Sequence, residues 1–149
     1  MLKLRSDKGF TLVEVICSLG IFSIIFISVM SYDITSYKMK NTIKTTNDNV
    51  FIMETIKNNI IYSITFEELE VLKTDNRVFI NSENMTLLKI KQSIMNVFSE
   101  DALSGSPYVK LDFLSRELDV YSLRLSLYDD TQSSTPSLQC NFYKGNYYK

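Results

Sequence analysis

A single carboxylate, that of Glu14, lies near the start of an otherwise uncharged apolar run. The run covers the 21 residues 10–30, and Glu14 is its only charged residue. A charge at the centre of a membrane helix costs at least ~2.5–3.5 kcal/mol, and acids within such helices usually have a functional role. We therefore expect Glu14 to have a partner that compensates its charge.

The rest of the sequence offers little material for catalysis or metal binding. It has no histidine, the commonest general base and metal ligand, and its four glycines are scattered. Two groups of acidic residues match no EF-hand spacing, which favours solvated charges over a cation site. These groups are Glu67, Glu68 and Glu70, and Asp129 and Asp130. We predict that the protein is not an enzyme and has no catalytic, cofactor-binding or metal-binding residue.

Length and charge limit the organisation of the chain. Its 149 residues leave room for one modest globular domain beside the apolar run. The 16 basic and 17 acidic side chains give no basic excess that would point to nucleic acid. Cys17 lies in the apolar run and Cys140 near the C-terminus, so we expect both to be unpaired.

The apolar run is long enough to cross a membrane once. As a helix, 21 residues extend about 31 Å, and the hydrocarbon core is about 30 Å thick. The N-terminal flank is basic, whereas Asp33 follows the run, so the positive-inside rule places the N-terminus in the cytoplasm. The flank contains Lys3, Arg5, Asp7 and Lys8. We expect a single-pass protein of the cell membrane with its C-terminal part outside.

Three other kinds of N-terminal segment compete with this interpretation. A cleaved signal peptide has a small-residue site at 29–31, but the run is long for one and Glu14 is out of place. A lipoprotein would need a small residue before Cys17, where Ile16 stands, and a cysteine at the end of the run. A plain signal anchor explains everything except Glu14 and the abrupt Gly9-Phe10 edge.

Residues 8–14, KGFTLVE, resemble the N-terminal motif of type IV pilins and pseudopilins. In that family a prepilin peptidase cuts after the glycine and methylates the new amino terminus. The resemblance implies cleavage between Gly9 and Phe10 and N-methylation of Phe10. It also implies that Glu14 is a subunit-assembly residue that pairs with the terminal amine of a neighbouring subunit.

The family resemblance implies a structural subunit of a type IV pilus or pilus-like filament, and we expect a minor pilin or pseudopilin. Its partners would be the prepilin peptidase, other pilin subunits, the membrane assembly machinery and membrane lipid, and it would end in an extracellular filament. The alternative is an uncleaved single-pass anchor with an extracellular binding head. The aromatic and basic tail 141–149 could contact DNA or surfaces, but two lysines attract phosphate weakly and an edge strand is favoured.

An apolar stripe at helical spacing follows the run and predicts that one long helix continues to about Tyr62. The stripe consists of Ile43, Val50, Met53, Ile56, Ile60 and Ile64. We divide the chain into a leader (1–9), a membrane half of the stem helix (10–31), an extracellular half (32–64) and a head (65–149). The predicted fold is α+β and type IV pilin-like, with a long N-terminal helix and a small antiparallel sheet.

Periodicity within the head predicts its elements. Residues 70–81 read as two short β-prone runs around a turn at 74–76, and residues 85–98 have helical spacing. Alternating apolar residues in 109–113 and 121–128 predict an antiparallel hairpin joined through 115–117. Residues 138–144 follow a polar loop and offer a third strand, with Leu138, Cys140 and Phe142 on its inner face.

Overall fold

The computed structural model describes residues 11–103, 107–132 and 134–146. The predicted cleavage site at Gly9 and Phe10 lies outside these residues, as does the end of the aromatic tail, 147–149. The chain divides into two compact units, Met1–Thr45 and Thr46–Lys149. One helix contributes to both of them.

That helix, α1, extends over Leu12–Tyr62, in agreement with the predicted stem. No proline or glycine occurs between residues 21 and 104 to interrupt it. In the first unit its apolar side chains are exposed; Ile24, for example, is 68% exposed. Among the described residues, α1 is the one helix whose length and composition would let it cross a membrane.

In the second unit the apolar stripe of α1 enters a hydrophobic core. Met53, Ile56 and Ile60 are buried, and Ile64 is buried just beyond the end of the helix. The lower members of the predicted stripe, Ile43 and Val50, are about half exposed instead. The stripe is therefore a core stripe only from Met53 onward.

The core is closed by a four-stranded antiparallel sheet with the order β1-β2-β3-β4. Its strands are β1 (Phe79–Asn81), β2 (Tyr108–Glu117), β3 (Val120–Tyr128) and β4 (Leu138–Gly145). This arrangement confirms the predicted α+β fold of a long N-terminal helix and a small antiparallel sheet. Besides the hairpin strands and the third strand, it contains the short β1, which pairs with β2.

The prediction that the first run within 70–81 is a β-strand is wrong. Its residues lie in the helix α2, Phe66–Thr74, which buries Phe66, Leu69 and Leu72 on one face at a spacing of three. A capping box formed by Thr65 and Glu68 starts this helix, and capping outweighs the β propensity of a short run. The second run is β1, and the predicted turn is present, with Asn76 at a positive φ of 54°.

The predicted helix in 85–98 is present as two short helices, α3 (Leu87–Gln92) and α4 (Ile94–Val97). They come after a 3-10 turn at Ser82–Asn84. Extended backbone at Ser93 separates them, with φ −160° and ψ 95°. Ile90, Ile94 and Phe98 from the predicted stripe are nevertheless buried.

The β2–β3 hairpin is confirmed, but its predicted connection through 115–117 is wrong. Those residues are paired within β2, and the chain turns at Leu118 and Asp119. Leu118 has a positive φ of 51° and is 94% exposed. Leucine is not a residue type typical of turns, so the sequence carries no turn signal at this position. β4 is the third strand that was predicted, and Cys17 and Cys140 are both free thiols, as expected.

Candidate functional site

The carboxylate of Glu14 is held by Thr11, the residue that precedes α1. The backbone N–H of Thr11 donates to Glu14 Oε2 at 2.9 Å, and the Thr11 hydroxyl donates to the same oxygen at 3.0 Å. In return, the backbone N–H of Glu14 donates to Thr11 Oγ1 at 3.3 Å. The Thr11 carbonyl accepts the first helical hydrogen bond, from Val15. Together these contacts form a capping box.

This capping box gives the Glu14 carboxylate hydrogen-bond donors within its own chain. The first N–H groups of a helix have no helical acceptor, and the helix dipole makes that end favourable for a negative charge. Thr11 thus supplies two hydrogen-bond donors to the carboxylate, and the expected charge partner of Glu14 stays a prediction. Sequence reasoning named the terminal amine of Phe10 and missed Thr11, although a Thr-x-x-Glu spacing before an apolar run is a capping signal. Pairing with a neighbouring subunit's amine stays a prediction.

The side chains that come after the capping box are exposed. Leu12, Val13 and Ile16 are between 60% and 78% exposed. Apolar side chains in a helix without partners in the described chain need lipid or other subunits around them.

Comparison with protein families gives one match. The family described as prokaryotic N-terminal methylation motif matches residues 4–30, a segment that includes Gly9, Phe10 and Glu14. The chain therefore carries the N-terminal methylation motif that type IV pilin-like proteins have. No curated protein and no solved structure gives a significant match.

The motif implies processing by a prepilin peptidase, and α1 is long and apolar enough to anchor the chain in a membrane. The match ends at residue 30, so the comparison says nothing about the head.

The acidic residues weighed as cation ligands have other positions and partners. Glu68 belongs to the α2 capping box, and Glu70 forms an ion pair with Arg116 at 2.6 Å. Asp129 and Asp130 are exposed in the β3–β4 loop. Within the described ranges no three Cys, Asp or Glu side chains are close enough to share a metal ion.

The tail 141–149, which was weighed as a contact for DNA or surfaces, begins within β4, an edge strand of the sheet. Tyr143 is 71% exposed, whereas Lys144 is buried and donates to the Ile61 carbonyl at 2.6 Å. Burial lowers the pKa of Lys144 and raises that of the half-buried Cys140 thiol. These two side chains join β4 to the core and do not form a reactive or phosphate-binding site.

Proposed function

We propose that this pilin-like protein is a subunit of a type IV pilus or a related filament, as a minor pilin or pseudopilin. A prepilin peptidase cleaves it after Gly9 and methylates Phe10. The head lies outside the cell while α1 holds the subunit in the membrane. During assembly the Glu14 carboxylate pairs with the terminal amine of a neighbouring subunit.

The position of Glu14 is the observation that carries this proposal. It stands in the first turn of an exposed apolar helix, four residues after the position where cleavage would create an ammonium. The Thr11 N–H from which it accepts belongs to the Phe10–Thr11 peptide bond, which cleavage leaves intact. The capping box can therefore persist in the mature subunit and hold the carboxylate at the depth of incoming amines.

An uncleaved membrane-anchored binding protein is the alternative. In such an anchor, helix capping alone would be a sufficient reason to have Glu14, since a cap stabilises a helix by roughly 0.5–2 kcal/mol. The two functions differ in whether the negative charge is needed or only the hydrogen bonds.

Two substitutions at Glu14 separate these requirements. Glu14→Gln retains an oxygen that can accept from Thr11, because glutamine also completes capping boxes, but it removes the charge. Glu14→Leu removes both. If the charge pairs with a neighbour's amine, each variant leaves an amine unpaired at low dielectric, and incorporation into filaments should fall more than about tenfold.

The measurement is the amount of head domain in sheared surface filaments relative to membranes, with wild type expressed alongside. Glu68→Gln, the same change in the α2 capping box, is the matched control and should assemble normally. Normal incorporation of Glu14→Gln with failure of Glu14→Leu would assign Glu14 to capping alone. Filament elongation is scored separately from initiation, because an initiating subunit can tolerate loss of the pair.

A further inference from the structure

One stretch of α1 carries positive charge without negative charge. Between Asp33 and Asp48, residues 34–47 contain three lysines and no acid. Lys40 and Lys44 share a helix face with Tyr37, at spacings of three and four residues. We call Tyr37, Lys40 and Lys44 the basic face.

The basic face is exposed. Tyr37 is 68% exposed, and both lysines are exposed as well. In the part of the chain that the structure describes, the ion pairs are Lys110–Asp112 and Arg116–Glu70. Neither lysine of the basic face forms an ion pair with the described residues, although Asp48 follows Lys44 by one helical turn.

The head has the opposite charge balance, and part of its negative charge collects at one end of the sheet. Residues 46–149 contain 14 acidic and 10 basic side chains. Strand pairing aligns Asn81, Tyr108 and Tyr128 at that end. Asp129 and Asp130 come directly after Tyr128, and the Asp101 carbonyl accepts from Asn81 Nδ2 at 3.2 Å.

We call the exposed Asp101, Asp129 and Asp130 the acidic end. A row of aromatic rings lies beside it. Tyr108 and Tyr128 stack at 5.0 Å between ring centroids, and Phe79 lies 6.0 Å from Tyr108.

The row is on the outer face of the sheet, because strand alternation directs the neighbouring Val109 and Leu127 into the core. Asp129 and Asp130 follow Tyr128 directly, so they lie at the end of the row. Burial and the charges of Tyr128 and Asp130 raise the pKa of Tyr108, whereas the charge of Lys110, which is paired with Asp112, lowers it. The aromatic row and the acidic end thus form one surface.

We propose that the basic face of one subunit docks on the aromatic row and acidic end of the head of a second copy of this chain. This proposal rests on the proposed function, since assembly is what brings copies together. The lysines supply charges for the carboxylates and lie over tyrosine rings, which attract ammonium groups. Tyr37 supplies apolar contact beside the rings.

Charge complementarity favours a second copy as the occupant. The two lysines of the basic face would meet carboxylates of the acidic end, and neither group forms an ion pair within the described residues. Exposed ion pairs are individually weak, so the contact depends on several pairs and on the high local concentration of subunits held in one membrane.

The test uses the full chain in membranes of cells that make two differently tagged copies. A photo-crosslinking benzoylphenylalanine replaces Tyr37, and the yield of cross-link between the two tags is measured. We expect a cross-link between the wild-type copies. Lys40→Glu with Lys44→Glu, or Asp129→Lys with Asp130→Lys, should each lower it about fivefold or more, because like charges then face each other.

The decisive sample contains the lysine-reversed chain together with the aspartate-reversed chain. Their opposite charges meet only between copies, so the cross-link between the two tags should return. A control pair with the same charge change, Lys89→Glu with Lys91→Glu on α3, should cross-link as wild type does.

Three results would overturn the proposal. Failure of the mixed sample to recover would mean that the charges act within one chain. Cross-links only to other proteins would mean a different partner. Loss on lysine reversal but not on aspartate reversal would mean that the lysines contact anionic lipid.

Salt provides a measurement that does not depend on the folding of any variant. Raising the ionic strength from about 0.05 to about 0.5 M shortens the screening length severalfold, so the wild-type cross-link should weaken. A salt-independent yield contradicts the proposal.

N-terminal analysis of the same samples keeps the two proposals apart. A charge-dependent cross-link with an intact Met1 would reject processing but keep the docking surface. A Phe10 start with equal cross-linking of all variants would reject the docking surface alone.

Discussion

Two helices of this protein begin with the same residue pair at the same spacing. Thr11 and Glu14 start α1, and Thr65 and Glu68 start α2, with corresponding hydrogen bonds between 2.8 and 3.3 Å. The apolar side chains beyond the two pairs have different surroundings. After Thr65 those of α2 turn into the core, whereas after Thr11 those of α1 are exposed.

The difference shows that a capping box fixes where a helix begins but not what the helix is for. In α2 the box orients a short helix whose stability comes from burial. In α1 it places a carboxylate at the edge of a long apolar surface that the described chain leaves uncovered. The function proposed for Glu14 depends on that surface and on the motif around it, and not on the cap itself.

The largest expected effect comes from comparing the buried and the exposed part of α1. Ile60→Ala removes a side chain that is fully buried in the head, and we expect the free energy of unfolding of the head to fall by about 2–5 kcal/mol. Ile43→Ala is the matched control in the same helix, because Ile43 is 53% exposed, and it should change that free energy by less than about 0.5 kcal/mol. Urea unfolding of the full chain in mild detergent measures both. Equal losses would show that residues near Ile43 belong to the core of the head.

A smaller effect is expected from the two caps. Thr65→Ala should lower the free energy of unfolding of the head by about 1 kcal/mol, because α2 loses a side-chain acceptor for a free N–H. Thr11→Ala should leave it unchanged, since its helix begins in the other unit. The same urea titrations compare them, and a head destabilised by Thr11→Ala would break the separation of the two regions.

The sequence predicted the elements that have a long, regular pattern of apolar residues. The stem helix was predicted from an apolar run with no proline or glycine beyond Gly20, and the hairpin from alternation in two adjacent runs. The missed features depend on single residues. Leu118 turns the hairpin with a positive φ that leucine rarely adopts, and Ser93 breaks a regular helical stripe.

The candidate site was predicted in part. Glu14 was identified because a charge in an apolar run is conspicuous, but its partner Thr11 was overlooked. The capping signals of both helices, Thr-x-x-Glu, were visible in the sequence. The basic face and the acidic end could not be matched from the sequence, because strand pairing is what places Asp101 at the same end of the sheet as Asp129 and Asp130.

The most direct test of the central claim is mass spectrometry of the amino terminus of the mature protein isolated from its own cells. If the chain is a processed pilin-like subunit, the first residue is Phe10 with a methylated amine, and Gly9→Val leaves the precursor in the membrane. The mature chain then lacks Lys3, Arg5, Asp7 and Lys8. An intact Met1, or a start at Tyr32 after signal-peptide cleavage, would contradict the account.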